Sequence, residues 1–190
     1  MENHTLQVYA GMIASLDRSI GKIIEKLKDL NIYGKTMIIF TSDNGGANYI
    51  ELKDINKPFR GWKISFFEGG IRVPFIVSWP DKISPGLTSN SAVHHFDIFP
   101  TIVSATKTTT SNKKELDGVN LLPYIKKENS DEPHETLFWR SGNHQSVLHK
   151  KWKYIVSKKE NKSWLFDTCL LYTSDAADEG LGVDLGGRRI

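Results

Sequence analysis

Between Leu6 and Leu30 the apolar residues Tyr9, Met12, Ile13, Leu16, Ile20, Ile23, Ile24 and Leu27 recur at steps of three and four. That spacing gathers them on one helical face, so a helix is predicted over residues 6–30, ended by Asn31 and Gly34. Thr36-Met37-Ile38-Ile39-Phe40-Thr41 then sets apolar, β-prone side chains on consecutive positions, the pattern of a strand covered on both faces. A helix followed by such a strand predicts an α/β sheet.

Directly after this strand comes Ser42-Asp43-Asn44-Gly45-Gly46, a polar, glycine-rich turn at the strand's carboxyl end, where ligand sites of open α/β sheets gather. Residues 47–70 show no period and end in Glu68-Gly69-Gly70. A second strand is predicted over Arg72–Trp79, stopped by Pro80, with Pro74 at its start or on an edge. Asp97 is expected to cap a helix running from Ile98 to about Ala105, because Pro100 is tolerated in a first turn. Thr106–Glu115 reads as a loop, and the polar run Lys126–Glu132 as a boundary. Beyond it, Thr136–Trp139, Val147–Val156 with a break near Lys150, and Ser163–Phe166 predict a small antiparallel sheet. From Cys169 onward there is no period and little to bury, so disorder is expected. The predicted division is residues 1–127 (an α/β sheet with flanking helices), 128–168 (a small antiparallel β subdomain) and 169–190 (an atypical tail).

Composition narrows the function classes. The chain carries 25 basic and 22 acidic residues, scattered except for short pairs such as Lys113-Lys114, which speaks against a nucleic-acid partner. Its single cysteine, Cys169, excludes an intrachain disulfide framework and a Cys-rich zinc site. No apolar run approaches the roughly 20 residues that span a bilayer, so no membrane partner is expected.

Three stretches, in this order, carry a resemblance. The first is Tyr9-Ala10-Gly11-Met12 and Asp17 leading into Ile39-Phe40-Thr41-Ser42-Asp43-Asn44-Gly45-Gly46. The second is Phe59-Arg60-Gly61-Trp62-Lys63 leading into Phe67-Glu68-Gly69-Gly70-Ile71-Arg72-Val73-Pro74. The third is Asp97-Ile98-Phe99-Pro100-Thr101 followed by Asp117-Gly118. Together they resemble the sulfatase family, over about residues 6–168, and imply its alkaline-phosphatase-like α/β fold. The resemblance implies that Asp43 and Asn44 are ligands of a calcium ion, with magnesium as an alternative, and that Lys63 contacts the substrate sulfate and assists the leaving oxygen. The chemistry of these groups agrees: calcium is a hard cation that takes oxygen ligands, and an ammonium stabilises charge developing on a transferring group. The implied reaction is hydrolysis of an aryl or carbohydrate sulfate ester, in which a hydrated formylglycine attacks sulfur. A secreted, periplasmic or lysosomal parent protein is implied as well.

The departures from the family pattern are equally legible. Formylglycine arises from the first residue of a Cys/Ser-x-Pro-x-Arg signature, and Ser78-Trp79-Pro80-Asp81-Lys82 both ends in lysine and lies on the wrong side of Asp43-Asn44. The nucleophile precursor is therefore expected outside this chain, and the 190 residues alone are expected to be inactive. After Thr168 the sequence leaves the family's usual Asp-Pro segment and final helix, so residues 169–190 are read as foreign to the natural protein. The nearest rival is a phosphatase or phosphodiesterase of the same superfamily, whose turn carries Asp-His for zinc; the amide at Asn44 favours calcium over zinc.

Several residues keep plainer readings. In isolation Asp43-Asn44-Gly45-Gly46 would be a turn and Lys63 a surface lysine. Glu68 and Arg72 read as a structural ion pair bracketing two glycines. The neighbours His94 and His95 point apart and so are not joint metal ligands. Arg140, His144 and His149 read as surface groups, and the tryptophans other than Trp62 as packing residues.

Overall fold

The computed structural model describes residues 4–50, 52, 55–109, 115–169 and 181–184. Helix α1 (His4–Asp29) follows the predicted period and ends two residues before Asn31, which takes a positive φ of 54°. Its apolar stripe is not covered: no α1 residue is buried, and Met12, Leu16 and Ile23 are exposed. Periodicity identifies the face that seeks a partner and does not supply one.

Strand β1 (Ile38–Thr41) and strand β2 (Phe75–Ser78) pair in a two-stranded sheet, with helix α2 (Glu68–Ile71) just before β2. Phe40 is exposed, which corrects the expectation of a strand covered on both faces. Pro74 lies immediately before β2, where its missing N–H removes no ladder bond.

The polar-apolar alternation near the C-terminus becomes five antiparallel strands in the order β3-β4-β5-β6-β7: β3 Thr136–Ser141, β4 His144–His149, β5 Trp152–Ser157, β6 Lys162–Asp167 and β7 Leu181–Asp184. The break expected near Lys150 is the turn between β4 and β5. One face buries Leu137, Lys153, Ile155 and Phe166, and the Phe67 ring meets Trp164 and Phe166 edge-on at 5.2 and 5.9 Å. The other face leaves Phe138, Tyr154 and Leu165 exposed, a period-2 division that follows from the pleat. β7 pairs with β6, while residues 170–180 and 185–190, on which most of the expectation of disorder falls, lie outside the described residues.

By contact the chain forms two units. Unit 1 comprises Met1–Tyr33, Ile38–Val77 and Thr136–Ile190, so the C-terminal sheet groups with residues 38–77 instead of standing alone. Unit 2 comprises Gly34–Met37 and Ser78–Glu135 and holds helices α3 (Ile98–Thr106) and α4 (Leu122–Ile125) around buried Ile83, Leu121 and Leu122. Asp97 occupies the N-cap position of α3 without a side-chain capping bond. This corrects the expected cap: its carboxylate instead accepts the backbone N–H groups of His94 (2.7 Å) and Val119 (2.9 Å). The loop expected at Thr106–Glu115 falls partly on residues 110–114, outside the described residues.

Candidate active site

The turn after β1 is organised by its own side chains. Ser42 Oγ donates to the carbonyl of Asn44 at 2.8 Å, and Asn44 Nδ2 donates to Asp43 Oδ1 at 2.7 Å. That bond uses the amide nitrogen of Asn44 and one oxygen of Asp43, so it does not engage the Asn44 amide oxygen or the second Asp43 oxygen. Carboxylate and amide oxygens on adjacent residues suit a hard divalent cation. They are two donors where calcium takes six to eight, and among the described residues no group of three or more His, Cys, Asp or Glu is placed to hold a metal ion.

Two glycines then fasten the turn to its surroundings. The Gly45 N–H donates to the carbonyl of Gly70 at 2.9 Å, and a Cβ at Gly45 would collide with the carbonyl oxygen of Gly69. The Gly46 N–H donates to Asn56 Oδ1 at 2.7 Å, while Asn56 Nδ2 donates to the carbonyls of Gly46 (2.9 Å) and Gly61 (3.2 Å). Asn56 therefore clamps the Asp43-Asn44 turn to the loop that carries Lys63, and the Lys63 N–H closes the clamp on the carbonyl of Gly46 at 3.2 Å. Nothing in the sequence pattern marked Asn56 for this role, because an Asn among polar neighbours reads as loop.

The Lys63 ammonium lies 5.5 Å from the centroid of the Tyr49 ring, and Tyr49 meets Trp62 edge-on at 6.0 Å. A hydrogen bond to Tyr49, first, and the charge of Asp43, among lesser causes, hold Lys63 above the usual lysine range. A lysine so placed stays protonated at neutral pH, as a group that binds an anionic ester must. The structure thus brings Asp43, Asn44 and Lys63 into one neighbourhood of unit 1.

Glu68 forms the expected ion pair with Arg72, Oε2 to Nη1 at 3.5 Å, but its other oxygen pairs closely with Lys153 of β5. Nothing in the local pattern points to that partner: a lysine in a β-prone run reads as solvent-facing, and this one is buried. His94 and His95 stand with ring centroids 5.9 Å apart in unit 2, where His94 stacks on Phe96 at 4.0 Å. Burial, foremost, pushes the His94 imidazole below its usual range.

Comparison with known proteins gives this geometry its relatives. The family model described as Sulfatase matches residues 2–108, and the model described as N-sulphoglucosamine sulphohydrolase, C-terminal, matches residues 61–170. Human N-acetylgalactosamine-6-sulfatase is 38% identical over 119 residues, covering 62% of this chain and 23% of its own. A protein named Sulfatase from Formosa agariphila is 32% identical over 166 residues, covering 77% of this chain and 29% of its own. The crystal structure of Ps i-CgsB in complex with k-i-k-neocarrahexaose shares a TM-score of 0.76 at 29% identity, covering 88% of this chain and 37% of that one. The chain spans about a quarter of the length of the curated relatives it matches.

Proposed function

The chain belongs to the sulfatase family, and from that premise we propose that it supplies the metal-binding turn and a sulfate-binding lysine of a sulfuric ester hydrolase. The observation that carries this reading is the clamp through Asn56 and Gly46, which ties the Asp43-Asn44 turn to the Lys63 loop. A carboxylate and an amide oxygen are thereby kept close to a cation that remains charged at neutral pH.

Asp43 and Asn44 would hold a calcium ion, or magnesium in its place, as two of its oxygen ligands. A cation held there would supply positive charge to polarise sulfate oxygens, and sulfatase chemistry further requires a formylglycine whose precursor signature is absent from these 190 residues. Lys63 directs its ammonium to the ester, neutralises charge that grows on the bridging oxygen as the S–O bond breaks, and delivers a proton to the departing alcohol. The Tyr49 ring stands beside that ammonium, its centroid 5.5 Å away. The exposed Tyr49 ring beside Lys63 suits a carbohydrate ring, since an apolar sugar face packs on an aromatic one. A relative named N-acetylgalactosamine-6-sulfatase and a neighbour solved with k-i-k-neocarrahexaose support a sulfated carbohydrate among the substrates.

The test is sulfate release by the complete polypeptide that carries this segment. N-acetylgalactosamine 6-sulfate and an aryl sulfate should both be hydrolysed, with loss of activity on chelation of calcium. Stoichiometric zinc together with preference for a phosphate ester would replace this reading with that of a phosphatase.

A further inference from the structure

Lys153 is 1% exposed, the largest fully buried side chain among the described residues. On β5 it alternates inward with Ile155 and Ser157, where an apolar residue would avoid the desolvation of an ammonium. Its Nζ makes a close ion pair with Glu68 and lies 5.6 Å from the centroid of the Trp139 ring. Arg72 also reaches Glu68, but from the same helical turn and with a side chain 36% exposed, so it cannot tie Glu68 to the sheet.

What Glu68 begins is the ridge against which the candidate site is built. The carbonyl of Gly70 accepts the Gly45 N–H at 2.9 Å, and the Gly69 N–H donates to the carbonyl of Arg60 at 2.7 Å. The side on which the ridge meets both loops has no room for a Cβ: one at Gly45 would strike Gly69, and one at Gly69 would stand 2.5 Å from the carbonyl of Gly61. A shift of Glu68-Gly69-Gly70 must therefore shift both the Asp43-Asn44 turn and the loop leading to Lys63. A buried charge pair fixes such a segment at one position, whereas apolar contact tolerates sliding.

We propose that Lys153 is a positioning residue: by anchoring Glu68 from the C-terminal sheet, it sets the Gly69-Gly70 ridge that holds the Asp43-Asn44 turn and the Lys63 loop in register. The functional meaning of this device rests on the sulfatase reading of the site; its physical content does not.

Amide hydrogen exchange of the 190-residue chain, resolved by residue, tests the device without any activity. In Lys153→Met, and in Lys153→Met/Glu68→Gln, the Gly45 and Gly69 amides should exchange at least about ten-fold faster while those of Leu148 and Ile155 keep their rates. The double variant leaves no unpaired buried charge, so it carries the test if the single variant fails to fold. Leu137→Ala, which weakens the same sheet without touching Glu68, should speed all these amides together. Unchanged exchange at Gly45 and Gly69 in the folded double variant, acceleration no greater than that of the sheet, or no protection at Gly45 in the unaltered chain would each overturn the proposal. Should the complete polypeptide release no sulfate, the sulfatase reading fails while the exchange result stands.

Discussion

His134 Nε2 lies 2.8 Å from Asp97 Oδ1, and the carboxylate it meets is entirely buried. The same carboxylate accepts the His94 and Val119 N–H groups, so one side chain joins three segments of unit 2. Asp97→Ala would strand two backbone donors and an imidazole, at about 1–3 kcal/mol for each buried group left unpaired. We expect a loss of roughly 3 kcal/mol or more in urea unfolding of the chain, and a smaller one for Asp97→Asn, which keeps one acceptor. Equal and small losses would show that the junction adds little.

Gly45→Ala tests the closeness of the Asp43-Asn44 turn to the Gly69-Gly70 ridge. The added methyl meets backbone, which cannot rotate away as a side chain can. Overpacking of this kind costs about 1–3 kcal/mol, so the unfolding midpoint should fall and the Gly45 amide should lose its protection. Gly11→Ala is the control: on α1 nothing stands within 4 Å of the new Cβ, and alanine favours the helix by about 1 kcal/mol.

Lys63→Ala in the complete polypeptide should lower the turnover of a sulfate ester by about 10²–10³-fold, the loss that follows removal of one preorganised transition-state donor. Bound calcium, measured by elemental analysis, should stay unchanged, because the proposed metal oxygens are those of Asp43 and Asn44. An unaltered turnover would remove Lys63 from the reaction.

Calcium titrated into the 190-residue chain should bind with a Kd weaker than about 1 μM, since the proposed ligands Asp43 and Asn44 would supply only two of the six to eight oxygens that tight sites use. Isothermal titration calorimetry measures this directly. Submicromolar binding would mean that further ligands lie within the chain.

Burial, foremost, holds the Lys153 ammonium below the ordinary lysine value of 10.5, against the pull of Glu68. The unfolded chain therefore binds this proton more tightly than the folded chain, and the Lys153 contribution to stability rises with pH between the depressed folded value and 10.5. Unfolding free energies of the unaltered chain and of Lys153→Met should diverge in favour of the former as pH climbs through that window. A difference that stays flat or shrinks would contradict the direction of the shift.

Much of the site was legible before any coordinates. Asp43, Asn44 and Lys63 stand in local motifs, and a turn after a strand is a feature of adjacent residues. The α1 period, the place of Pro74 before β2 and the alternation that becomes β3 to β6 are local in the same sense: each is fixed by steps of two or of three to four residues along the chain. Comparison with relatives extended this reading, since family membership attaches to those same motifs.

What the tertiary structure alone decided are the pairings between distant segments. Lys153 and Glu68 are 85 residues apart, and His134 and Asp97 are 37 apart. Local pattern assigns Asp97 to a helix cap and pairs Glu68 with its neighbour Arg72, and it names neither distant partner. Whether such a group is buried depends on which segment folding brings opposite it, and a charge can stay inside only where that segment supplies its partner. Sequence therefore named the candidate groups for the ester and the metal, while the fold determined what holds them in place.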